Sequence, residues 1–177
     1  MNPKTGRCAI LFPHGVLFRD AELDIRKKMI DADVIECILG LGPKLFYNSP
    51  MYSCVVICRL NKDPERKGKI LFIDASKEVT IEKTQSYLED HHRKKILDTY
   101  QSFNDIDGFS KVVLGKEIQA QNSNLSVQMY VRSATEQIRA ECVTLEDCIE
   151  NWEISIEVFK KKYAELISSL VEVGFHE

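Results

Sequence analysis

Side chains able to do chemistry are present in this chain, but they are scattered. Six cysteines (Cys8, Cys37, Cys54, Cys58, Cys142, Cys148) and four histidines (His14, His91, His92, His176) supply nucleophiles and metal ligands by type. No cysteine pair has the Cys-x-x-Cys spacing of a zinc or redox site, and the histidines lack metal-ligand spacing. Four of the cysteines fall inside apolar runs, where a free thiol behaves as a small hydrophobe. His91-His92 read as solvated helix residues. Asp74 closes an apolar run and has no visible acid–base partner in the sequence. Gly40-Leu41-Gly42 is followed by Pro43, which rules out a dinucleotide-binding fingerprint and marks a turn. With no P-loop, Gly-x-Ser-x-Gly or His-Glu-x-x-His either, the chain does not read as a self-sufficient enzyme.

The elements that must position these residues are clearer. Four apolar runs predict strands at residues 8–12 (CAILF), 34–41 (VIECILGL), 53–60 (SCVVICRL) and 69–75 (KILFIDA). The first three are nearly unbroken rather than alternating, the pattern of strands covered on both faces in an α/β sheet. Residues 20–33 predict a helix with Asp20 as N-cap and a basic triplet Arg26-Lys27-Lys28, so the opening is a βαβ-like unit. A loop over 42–52 separates the second and third strands. The charged turn at 63–68 between the third and fourth predicts a hairpin. A further helix is expected over 90–101. Short elements are expected over 102–142, packed over the sheet edge with Asp107-Gly108 as a turn.

The last segment carries a strong periodic signal. Thr144-Leu145-Glu146-Asp147 resembles a capping box. From there Leu145, Ile149, Trp152, Ile156, Phe159, Tyr163, Leu166, Leu170 and Val173 recur with alternating spacings of four and three, the seam of a coiled coil. The helix would be about 40 Å long, with Gly174 as its C′ residue. Ile154, Val158, Ile167 and Val171 lie off the seam and suggest a bundle. Three regions follow: 1–76 as sheet, 77–143 as helix and irregular extension, and 144–177 as a docking helix.

Composition sets broad limits. A chain of 177 residues with 44% hydrophobic and 29% charged residues suits a globular domain with an appendage. A net charge of −3 gives no global attraction for nucleic acid. No apolar run approaches membrane-spanning length, so no membrane partner is expected and cytoplasm is the default. What is missing matters as much. Strands buried on both faces need more helices, and more neighbouring strands, than this chain supplies, and an uncovered apolar edge invites pairing.

One run, Gly6-Arg7-Cys8-Ala9-Ile10-Leu11-Phe12-Pro13-His14-Gly15-Val16-Leu17-Phe18-Arg19, resembles the segment beyond the catalytic motif in the modification subunit of type I restriction–modification systems. The likeness continues through residues 25–28, 34–41 and 45–48, resumes at 60–62 and 65–75, and includes Asp105-Ile106-Asp107-Gly108-Phe109-Ser110-Lys111-Val112-Val113 and Asn124-Leu125-Ser126. The resemblance implies a Rossmann-like adenine-specific DNA methyltransferase that uses S-adenosylmethionine. It identifies this chain as the C-terminal part, carrying a partial methyltransferase sheet and a long coiled-coil-type helix. The family's Phe-x-Gly-x-Gly cofactor loop and Asn-Pro-Pro-aromatic motif precede the matched segment and are absent here. The chain alone is therefore expected to bind no cofactor and to be inactive.

The resemblance also implies two functional parts. Phe46, Tyr47 and Asn48 correspond to a loop bordering the flipped target base, where stacking on an aromatic would hold an extruded ring. Phe46 reads equally well as a plug at the hairpin end. The loop departs from the family's Thr-Gly-Ile-Pro-Thr, reading Ser49-Pro50-Met51-Tyr52-Ser53. The terminal helix corresponds to helices that pack on the DNA-specificity subunit. Expected partners are that subunit and an N-terminal methyltransferase half, with DNA bound only in the assembled complex. The alternative is an independent interaction protein that self-associates or binds a helical partner. A nucleic-acid module built on the basic clusters ranks last.

Overall fold

The computed structural model describes residues 2, 4–46, 50–82, 85–132 and the helical residues 156, 159, 160, 162, 163 and 167. It forms two compact units, Met1–Ala134 and Thr135–Glu177.

The first unit is built on a mixed five-stranded sheet. Its strands are β1 (Arg7–Pro13), β2 (Ile35–Leu41), β3 (Ser53–Arg59), β4 (Lys69–Ala75) and, further along the chain, β7 (Ser110–Leu114). A separate small hairpin pairs β5 (Thr80–Glu82) with β6 (Gln85–Tyr87). The main sheet has the order β1-β3-β2-β4-β7. β2 and β4 are parallel, and every other pairing is antiparallel.

Two expectations about connectivity need correction. The strand–helix–strand opening exists, with α1 (Leu23–Asp31) between β1 and β2, but β3 lies between those two strands. Residues 60–68 do not close a hairpin, because β4 pairs with β2 and not with β3. The connection instead passes the start of β2, held there by charge. Lys62 is buried and donates to Asp33 Oδ1 at 2.5 Å and to the Lys69 carbonyl at 2.9 Å. The Gly68 amide donates to Asp33 Oδ2 at 2.9 Å. At φ +68° Gly68 occupies the left-handed region that a side chain would disfavour. A bulge between Ile35 and Cys37 sets Glu36 apart. The Glu36 carboxylate, fully buried, accepts from Arg66 at 3.3 Å, Arg59 at 3.4 Å and the Tyr100 hydroxyl at 2.5 Å.

Alternation along the strands divides the core. One face gathers Ile38, Cys54, Val56, Cys58, Ile70 and Phe72 beneath Ile30 of α1, Ile118 of α3 (Gly115–Ala120) and Val127 of α4 (Val127–Tyr130). The other gathers Cys37, Leu71, Ile73, Ala75 and Phe109, packed by Ile96 and Tyr100 of α2 (Asp90–Ser102). Cover on both faces is nearly complete for β2, where only Leu39 is partly exposed, whereas β3 alternates and β1 is largely exposed. Leu11 keeps 48% of its surface accessible, an apolar side chain on an edge strand. Among the described residues β1 pairs on one side only.

The helices also differ in detail from expectation. A 3₁₀ turn at Asp20–Glu22 leads into α1, and Asp20 makes no side-chain cap. Arg26 is buried rather than solvated, donating to the carbonyls of Ser123 (3.0 Å), Val16 (3.0 Å) and Arg19 (2.7 Å), so it ties α1 to two loops. His92 is buried too, its Nδ1 accepting from the Glu89 amide in the capping box that starts α2. His91 stays exposed. Cys8, Cys37, Cys54 and Cys58 are free thiols on strands. Burial pushes Cys37 far up and Cys54 up to about 11, so they are poor nucleophiles.

Candidate functional site

The parallel strands β1, β2 and β4 end at one rim of the sheet, where open α/β folds place their ligands. His14 follows β1, Asp74 lies at the end of β4, and the 42–52 loop leaves from β2. This loop is rooted at both ends. A Cβ on Gly42 would lie 2.7 Å from the Ser76 carbonyl and 2.8 Å from Val79 Cγ1, so only glycine fits against that turn. Lys44 takes a positive φ of 60°, and its carbonyl accepts from the Ser86 amide of β6 at 2.9 Å. At the far end the His14 amide donates to the Tyr52 carbonyl at 3.2 Å.

Two clefts open at this rim. The smaller, of about 180 Å³, is lined by Leu11, Phe12, Pro13, Phe46, Met51, Tyr52 and Ser53. Phe46 is 40% exposed. Tyr47 and Asn48 lie outside the described residues. The larger cleft, of about 460 Å³, lies on the other side of Met51 and Tyr52 and contains His14, Phe18, Asp74, Ser76 and Gln128.

His14 and Asp74, sixty positions apart, thus line the same cleft. Burial pushes the His14 imidazole below its ordinary range, and the Asp74 carboxylate partly opposes this. The imidazole is then neutral near pH 7, able to donate from one nitrogen and accept at the other. Asp74 Oδ1 accepts from the Ser76 amide at 2.9 Å, which fixes the carboxylate. Sequence reading missed this pairing because the two are neighbours only through topology. Their shared position at the ends of parallel strands was the signal available. Among the described residues no group of three or more His, Cys, Asp or Glu side chains could hold a metal ion, and no helix is long and apolar enough to cross a membrane.

Of the expected docking positions, Ile156, Phe159 and Tyr163 are described and helical. Leu145, Ile149, Trp152, Leu166 and Leu170 lie outside the described residues. Phe159 is 68% exposed and stacks with Tyr163 at 6.1 Å between ring centroids.

With this geometry in place, comparison with known proteins is specific. Residues 2–139 match the N-6 DNA methylase family, and the chain belongs to it. It is 43% identical over 129 residues to the type I restriction enzyme MjaVIII methylase subunit of Methanocaldococcus jannaschii, covering 71% of this chain and 22% of that protein. It is 30% identical over 146 residues to the MpnII methylase subunit of Mycoplasma pneumoniae, covering 82% of this chain and 26% of the relative. Among solved structures, the type I methyltransferase subunit from Streptococcus thermophilus superimposes with a TM-score of 0.69 at 37% identity, over 74% of this chain and 28% of that one. The EcoKI M protein shares the fold at a TM-score of 0.55 and 15% identity, over 97% of this chain and 44% of that one. The chain therefore spans about a quarter of the length of the two methylase subunits it matches by sequence.

Proposed function

We propose that this chain is the C-terminal segment of a type I restriction–modification DNA adenine methyltransferase subunit, contributing a sheet edge, a target-base-proximal loop and a docking helix. In this reading S-adenosylmethionine and the catalytic motif belong to an N-terminal half, and the chain alone performs no methyl transfer. The observation that carries it is β1, an apolar strand paired on one side among the described residues, with Ile10 and Leu11 exposed. Such an edge accepts another strand. A strand laid parallel to β1 would end at the rim where Phe46 sits, bringing a catalytic loop to the base-proximal loop.

The test is complementation. The chain is mixed with a polypeptide carrying the cofactor loop and the Asn-Pro-Pro-aromatic motif, and labelled methyl transfer to adenine in DNA is followed. Activity in the mixture and in neither part is expected; methylation by the chain unaided overturns the proposal. The docking helix is tested by capture of the DNA-specificity subunit, which Trp152→Glu with Phe159→Glu should abolish. Exposure of Phe159 and Tyr163 also favours a second reading, self-association. Light scattering on the purified chain distinguishes them: a discrete homodimer lost in the same double variant favours the second.

A further inference from the structure

The larger cleft at the rim, of about 460 Å³, carries a carboxylate without a basic side chain to match it. Asp74 and His14 both line it, and no lysine or arginine is among its lining residues. Asp74 Oδ1 accepts from the Ser76 amide, and among the described residues no basic side chain pairs with this carboxylate. His14 does not serve as the counter-charge, because burial holds its imidazole below the ordinary range and so neutral near pH 7. The rest of the cleft is largely apolar. Phe18 and Tyr52, 48% and 49% exposed, add two aromatic rings to its lining. A cleft of one charge sign between low-dielectric walls focuses its field, and aromatic rings attract cations.

We propose that this cleft seats an arginine side chain carried by a protein partner, its guanidinium donating to Asp74 and stacking on Tyr52 or Phe18. Arginine suits the cleft better than lysine. Its planar, weakly hydrated head loses less on leaving water and can lie against a ring while its N–H groups reach a carboxylate. A nucleic-acid backbone is a poor occupant, because its phosphates would meet an unpaired carboxylate. The inference goes beyond the methyltransferase reading. It stands on the charge and rings of the cleft, which the 42–52 loop enters only through Met51 and Tyr52.

The test is a titration of the full chain with the peptide acetyl-Gly-Arg-Gly-amide, followed by NMR at the Met51 methyl and the His14 ring. Saturable shifts are expected, weaker with the lysine peptide. A bound cation should also move the His14 titration to lower pH, since a neighbouring positive charge disfavours imidazolium. Asp74→Asn keeps an acceptor for the Ser76 amide and should weaken binding about ten-fold or more, the effect of losing a charge-assisted hydrogen bond. Tyr52→Leu, which leaves the carboxylate in place, should weaken it about three-fold through the lost ring. Absence of saturable shifts, equal binding by Asp74→Asn, or a His14 titration unmoved by the peptide each overturns the assignment. So does a short DNA duplex that shifts the same signals where the peptide does not.

Discussion

Tyr100 on α2 donates its hydroxyl to Glu36 Oε2 at 2.5 Å, joining a helix to a carboxylate with no solvent exposure. Arg66 completes the join, reaching Glu36 at 3.3 Å and the Gln101 carbonyl at 2.7 Å while its guanidinium lies 4.6 Å from the Phe103 ring centre. Removing one partner from such a cluster leaves the others buried and unpaired. Glu36→Ala should cost about 3 kcal/mol in urea unfolding, and Tyr100→Phe about 1.5 kcal/mol. The double variant should cost less than the sum, because both changes break the same bond.

The same contact sets a limit at high pH. Burial, then the Glu36 hydrogen bond and charge, push the Tyr100 hydroxyl up to about 12, and burial pushes Tyr130 up to about 12 as well. A pKa raised on folding means that the stabilisation is whole below the ordinary tyrosine value and fades as pH climbs towards 12. Ultraviolet difference titration should show two late-ionising tyrosines, one lost in Tyr100→Phe and the other in Tyr130→Phe. The alkaline loss of stability should shrink in each.

Gly42 tests the root of the 42–52 loop. A methyl group there meets the Ser76 carbonyl at 2.7 Å, and backbone yields less readily than a side-chain tip. Gly42→Ala should cost about 1–3 kcal/mol as overpacking. It should also shift the Phe46 ring signals in NMR spectra, whereas alanine at Gly68 should act through its positive φ and leave Phe46 unmoved.

The exposed edge predicts an asymmetry between stability and assembly. Leu11→Lys places a charge on a half-exposed position, so melting should change little, by roughly 0.5 kcal/mol or less. Complementation by an N-terminal half should nevertheless fall sharply, since charges on an edge strand block pairing. Equal complementation by wild type and variant would remove β1 from the interface.

How far the sequence spoke for this fold depends on which physical signal each element carried. The four apolar runs are strands, because burial of continuous hydrophobic backbone leaves few alternatives. Their order was not legible. The loop at 60–68 has the composition of a hairpin turn, and it passes β2 only because Asp33, Lys62, Glu36 and Arg66 meet there. Charge pairs between distant residues leave no periodic trace. His92 misled for a related reason: a basic side chain on a polar helix looks solvated until the backbone group it caps is known. At the rim, Phe46 was legible as a loop aromatic, whereas the shared cleft of His14 and Asp74 needed the parallel strands to be placed first.

The unequal covering of the two sheet faces has a consequence for how the unit comes apart. Aliphatic interdigitation holds α1, α3 and α4 down, whereas α2 is fastened in good part through Tyr100, Arg66 and Glu36. Salt and denaturant act differently on these two kinds of adhesion. In hydrogen exchange, amides of α2 should open together as a subglobal event, ahead of β2 and of the opposite layer. The carboxylate that steers the chain past β2 would then also be the latch that gives way first.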